Sequence, residues 1–182
     1  MNDNTPRLGI DIGRVIIDGP RNRGEDTGFF DGDEAALLAT PEMPGAFEAI
    51  GRLVLLFEAE VWLVSKCGER VQERTLRWLD GHNFWRDARM HPRCVRFCRE
   101  RPEKRDICLE LGITHFVDDR ADVIASIKDV VPHRYLFGPQ DANVFATAHN
   151  DGIRLSPSLH LAPNWNIAER LIQRDFSVNN PS

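Results

Sequence analysis

Leu8-Gly9-Ile10-Asp11-Ile12-Gly13-Arg14-Val15-Ile16-Ile17 is the stretch on which the reading of this chain turns. It is an apolar run with one acid inside it, and it reads as a buried strand running into a turn at Gly13. A carboxylate in such a run is costly unless it has a partner or a task. Asp11 is therefore the first candidate functional residue, and its plain alternative is a turn or helix cap.

Outward from this stretch, the periodicity alternates. Residues 18–45 are rich in glycine, proline and acids. They read as a long loop with a short helix at Glu34–Ala39. A loop of this length in a compact domain is usually functional or mobile. Residues 44–57 have helical spacing, with Phe47, Ile50, Leu53, Val54 and Phe57 on one face. Residues 61–64 form a short strand ending at Ser65, and residues 69–79 a second amphipathic helix closed by Gly81. A third strand is expected at 94–98, and a helix at Glu103–Leu111 ending at Gly112. A strand over 113–117 ends at Asp118-Asp119. A helix over 122–130, a last strand at 134–137 and a terminal helix at 166–174 complete the pass. Strands alternating with helices at this spacing predict a parallel α/β sheet.

In such sheets ligands sit beyond the carboxyl ends of the strands. Asp11, Ser65 and Asp118-Asp119 each close a proposed strand, so neighbouring strands would bring them to one pocket. Adjacent carboxylates repel, and a hard divalent cation with oxygen ligands would relieve the repulsion. Read alone, Asp118-Asp119 is a solvated helix-capping pair, Lys104 a surface lysine and Ser65 a cap.

Composition sets the outer bounds. The 182 residues suit a single domain, 1–182, that folds without staples. Lys+Arg total 23 and Asp+Glu 28, a net charge of −5, which disfavours a globally basic nucleic-acid binder. No apolar run approaches a membrane span, and the first residues lack the pattern of a signal peptide. A cytoplasmic protein without membrane partners is expected, with Cys67, Cys94, Cys98 and Cys108 as reduced thiols.

The order Asp, Ser, Lys, Asp-Asp, each on its proper element, resembles the haloacid dehalogenase superfamily, most of whose members are magnesium-dependent phosphatases. Its four motifs correspond here to Ile10-Asp11-Ile12-Gly13-Arg14-Val15, Val61-Trp62-Leu63-Val64-Ser65, Arg101-Pro102-Glu103-Lys104 and Phe116-Val117-Asp118-Asp119-Arg120. The resemblance spans residues 7–137. It implies a three-layer, Rossmann-like sheet with helices on both faces. It also implies that Asp11 is a nucleophile forming an aspartyl-phosphate. Mg2+ would be held by Asp11, the Gly13 carbonyl and Asp119, with Asp118 in support. Ser65 and Lys66 would bind phosphate, as would Arg14, for which a solvent-facing role is the alternative. Lys104 would balance the charge.

One departure stands out. Gly13 occupies the place of the second aspartate, which usually protonates the leaving group. General acid–base catalysis of this kind is worth about 10²–10⁴-fold. Two readings follow: a phosphatase that finds its acid elsewhere, or a weak or inactive relative that binds a phosphorylated ligand or a protein. Asp18, Asp26, Asp31 and His115 are candidate substitutes. Residues 18–45 would be a minimal cap or mobile loop, leaving an open site that would suit a large phosphorylated substrate or a partner subunit acting as lid; a small phosphorylated substrate or nucleotide and a homodimer are the expected partners. Residues 86–105 carry eight cations against three acids. They read as a solvated face pairing with the acidic 25–34 loop, or alternatively as a surface for a nucleic-acid end. Leu8-Gly9-Ile10-Asp11-Ile12-Gly13 also resembles the first phosphate motif of the sugar-kinase and actin superfamily, whose two large domains exceed this length. A ribonuclease-H-like nuclease fits the Asp118-Asp119 pair poorly.

Overall fold

The computed structural model describes residues 5–19, 28–140 and 159–179. Six parallel strands form one sheet: β1 (Leu8–Ile10), β2 (Val61–Lys66), β3 (Val95–Cys98), β4 (His115–Asp118), β5 (His133–Phe137) and β6 (Leu159–Ala162). Their order is β3-β2-β1-β4-β5-β6. Strand β1 lies centrally, its Ile10 in register with Leu63 of β2 and Val117 of β4. Asp11, Ser65 and Asp118 thus reach the same edge, as the strand assignment required.

The helices are α1 (Gly28–Asp31), α2 (Glu34–Ala39), α3 (Ala46–Leu56), α4 (Glu69–Gly81), α5 (Phe84–Asp87), α6 (Glu103–Leu111), α7 (Ala121–Ser126) and α8 (Trp165–Asn179). Side-chain alternation sorts the sheet's two faces. Leu8, Ile10, Leu63, Val117, Tyr135 and Phe137 pack with residues of α3, α4 and α8. Val64, Phe116 and Leu136 pack with residues of α6 and α7. The result is the expected three-layer α/β architecture. Gly9 permits close approach on the second face, where a Cβ would meet Phe116 Cδ2 at 2.4 Å.

Several boundaries differ from expectation. Strand β1 stops at Ile10, because residues 12–17 fold into a tight turn in which the Ile12 carbonyl accepts from Ile16 N at 2.8 Å and Ile17 N at 3.1 Å. Arg14 sits in this turn at φ 60, a left-handed conformation uncommon outside glycine. Helix α7 ends at Ser126 rather than 130, and α8 runs five residues past the expected 174, to Asn179. The strand at 133–137 is not the last, since β6 pairs beyond it. Gly81 does not close α4 through left-handed freedom: Asn83 takes that conformation at φ 56, and Gly81 lies where a Cβ would strike Leu38. Gly112 does cap α6, at φ 62.

Helices α1 and α2 pack on α4. Phe29 and Leu37 enter the core, the Arg74 guanidinium donates to the Phe29 carbonyl, and Trp78 Nε1 donates to the Thr40 carbonyl at 2.8 Å. The acids Asp31 and Glu34 face Arg70 and Arg77 of α4, at 3.3 and 3.4 Å. Asp31 and Glu34 thus do not make the expected pairing with the 86–105 arginines, of which Arg99 faces Glu69 and Arg105 faces Asp129. The loop's acids Glu25 and Asp26 lie outside the described residues.

Two features anchor α8. Arg52 of α3 forms a two-point ion pair with Glu169, at 2.6 and 2.7 Å. Trp165, fully buried, donates its indole N–H to the carbonyl of Val15 at 2.6 Å. At the starts of the strands, His115 stacks on His133 at 4.5 Å and Tyr135 on His160 at 5.6 Å. Asp175 of α8 accepts from the Tyr135 hydroxyl at 2.9 Å and lies 2.9 Å from His160 Nε2. Among the described residues no helix is long and apolar enough to cross a membrane.

Candidate active site

The carboxyl ends of β1 and β4 carry a buried charge cluster. Lys104, in the first turn of α6 and 2 % exposed, donates to Asp11 Oδ1 at 2.8 Å and Asp118 Oδ2 at 2.7 Å. The other Asp118 oxygen accepts from Arg120 N at 2.9 Å. Arg14 pairs with Asp119 at 2.6 Å. Gln140 donates to the carbonyls of Asp119 and Phe137, at 3.2 and 2.8 Å, pinning the turn after β4.

These charges shape one another. Burial alone would lower the Lys104 ammonium, but Asp11 and Asp118 outweigh it and hold the lysine above its ordinary value. Burial, then the Asp11 carboxylate, push the Asp118 carboxyl up to about 7, and Lys104 opposes them. Asp119 rises to about 6 for the same two reasons, with Arg14 opposing. Burial also pushes up the Cys67 thiol to about 11 and the Cys108 thiol to about 12, which leaves neither a ready nucleophile. All four cysteines are free.

A cavity of about 450 Å³ opens above the cluster, lined by Asp11, Gly13, Arg14, Ser65, Lys66, Lys104 and Asp119 among others. Asp118 lies beneath, fully buried. One carboxylate oxygen each from Asp11, Asp118 and Asp119 lie within 4.8 Å of one another. Three hard oxygen donors at that spacing suit a small divalent cation such as Mg2+. Gly13 is exposed, and a Cβ there would meet nothing within 4 Å.

Three of the four candidate substitutes for the missing acid do not line the cavity. His115 is buried at the opposite end of β4, Asp31 pairs with Arg70, and Asp18 is absent from the lining. Asp26 lies outside the described residues. Sequence reasoning missed Phe29, Phe30, Arg101 and Arg120 as lining residues. The pair Phe29-Phe30, set in a glycine- and acid-rich stretch, was the available signal for the first two.

No family model matches the chain, and no curated protein matches it. Among solved structures it is similar to a haloacid dehalogenase-like hydrolase from Burkholderia xenovorans. The two are 14% identical, the alignment covers 93% of this chain and 96% of that one, and the TM-score is 0.58. The fold is therefore haloacid dehalogenase-like. At this identity the likeness speaks for architecture alone.

Proposed function

We propose that the protein is a Mg2+-dependent phosphatase that hydrolyses a small phosphomonoester or nucleotide through an aspartyl-phosphate on Asp11. The observation that carries this reading is the meeting of Asp11, Lys104, Asp118 and Asp119 under one cavity with Ser65 in its wall. Asp11, the Gly13 carbonyl and Asp119 would hold Mg2+, with Asp118 in support. When bound, the ion neutralises phosphoryl charge and favours in-line attack.

An Asp11 carboxylate oxygen attacks phosphorus. The bond from phosphorus to the substrate's ester oxygen breaks, and that oxygen leaves with the electron pair. Water then attacks the phosphorus of the aspartyl-phosphate, releasing inorganic phosphate, a proton and the regenerated carboxylate. Ser65 donates a hydrogen bond to a phosphoryl oxygen, and Lys66 and Arg14 add positive charge beside it. Lys104 holds the Asp11 carboxyl group in place through its ammonium, and offsets charge as the phosphoryl group arrives.

Gly13 favours a second reading, a module that binds a phosphorylated ligand or a protein partner with little or no turnover. Hydrolysis of p-nitrophenyl phosphate, whose leaving group needs little acid assistance, separates the two. The comparison is wild type, Asp11→Asn and Gly13→Asp, with Mg2+ and with EDTA. Mg2+-dependent turnover that Asp11→Asn abolishes supports the phosphatase. Turnover seen only in Gly13→Asp supports the silenced scaffold.

A further inference from the structure

The cavity is chemically mixed. Charged residues contribute to its lining, and so do the apolar Ile17, Phe29, Phe30 and Val71. Phe29 is buried, and its ring meets Phe30 edge-on with centroids 5.4 Å apart. That contact holds Phe30 at the mouth, where it remains 48 % exposed. Arg14, Lys66, Arg101 and Arg120 also line the cavity. Nothing in phosphate chemistry requires an aromatic ring there. A cavity of about 450 Å³ also exceeds what a phosphoryl group alone fills.

We propose that Phe30, backed by Phe29, forms a leaving-group subsite, and that the substrate is a phosphomonoester of a neutral or anionic aromatic group. The inference rests on the phosphatase reading, since the phosphoryl group on the charged floor sets the distance to the ring. Aromatic rings prefer edge-to-face or offset contacts, and Phe29 leaves Phe30 free to make one more. Five lining cations, Arg14, Lys66, Arg101, Lys104 and Arg120, against the two lining carboxylates Asp11 and Asp119 disfavour a cationic leaving group such as an alkylammonium. Phe30 is a specificity residue, and phosphoryl transfer does not need it.

Phenylphosphonate and methylphosphonate, whose carbon–phosphorus bonds resist hydrolysis, test the proposal by calorimetry in the presence of Mg2+. Wild type is expected to bind phenylphosphonate about tenfold more tightly, the scale of one aromatic contact plus its buried area. Phe30→Ala should remove that preference and leave methylphosphonate binding unchanged. Phe30→Trp should keep it, which separates ring recognition from a general loosening of α1. Equal binding of the two phosphonates by wild type overturns the subsite and leaves the phosphatase reading standing. A preference retained in Phe30→Ala also overturns it. Failure of both phosphonates to bind overturns the subsite and the phosphate-binding floor together.

Discussion

Arg14 and Asp119 are paired at 2.6 Å, so the carboxylate best placed to receive a cation from the cavity already holds one. Arg14 reaches it from a left-handed backbone position in the turn that follows β1. A divalent ion held as proposed would therefore compete with the guanidinium for Asp119. Arg14→Gln is expected to tighten Mg2+ binding about fivefold, the equivalent of ~1 kcal/mol for a partly exposed pair. Calorimetry on the two proteins checks it, and equal affinities would rule out the competition.

Gly13→Asp should fold normally, because a Cβ there meets nothing within 4 Å and the position needs no left-handed backbone. If an absent acid limits turnover, the variant gains about tenfold or more on a phosphomonoester with a poor leaving group. The gain should shrink on p-nitrophenyl phosphate. An equal effect on both substrates would argue against acid assistance.

Lys104→Met leaves Asp11 and Asp118 facing each other without their shared ammonium. Breaking a buried ion pair by removing one partner costs about 3–5 kcal/mol. Urea denaturation in EDTA should show that loss, and added Mg2+ should narrow it by binding the folded form alone. Lys104→Arg keeps the charge and should lose less. A loss below ~1 kcal/mol for the methionine variant would mean that the carboxyls relax by protonation instead.

His115 gives the fold an acid sensitivity at the opposite end of the sheet. Burial first, and His133 second, lower its pKa to about 3, with Asp175 opposing weakly. The unfolded chain protonates this histidine near pH 6.5, so below that pH it binds more protons than the folded one. Stability is therefore lost as pH falls from about 6.5 toward 3. Asp118 and Asp119 act in the opposite sense, because their raised values let the folded state bind protons first. Comparing wild type with His115→Phe isolates the histidine. Between pH 5.5 and 4 the slope of unfolding free energy should differ by about 1.4 kcal/mol per pH unit. Coincident slopes would show that His115 ionises without disturbing the fold.

Much of this architecture could be read from single residues. Helix α6 follows from a proline-led start and a glycine stop, and α3 from an apolar face that is buried as expected. Strand β6 escaped notice because four residues between prolines give too short an alternation to register. Helices α1 and α5, of four residues each, lie below any periodic signal. Asp11, Ser65 and the Asp118-Asp119 pair were visible because each breaks or ends an apolar run, whereas Lys104, inside the charged run 99–106, was legible only through its order among them. Arg14's partner was not, since nothing local to position 14 points 105 residues ahead. Phe30 carried only the weak signal of an aromatic pair in a glycine- and acid-rich stretch, because a four-residue helix has no periodicity to place it.

The bond from Trp165 to the carbonyl of Val15 ties the turn bearing Gly13 and Arg14 to the first residue of the final helix, 150 positions later. Chains emerge from the ribosome N-terminus first, at about 5–20 residues per second. The turn is therefore made well before the helix that supplies its indole partner. The turn's own bonds from Ile16 N and Ile17 N to the Ile12 carbonyl can form long before then, and the indole adds its bond to Val15 only once residue 165 is made. A molecule clipped before residue 165 would keep Asp11, Ser65, Lys104 and the Asp118-Asp119 pair but lose this tie on the turn beside them.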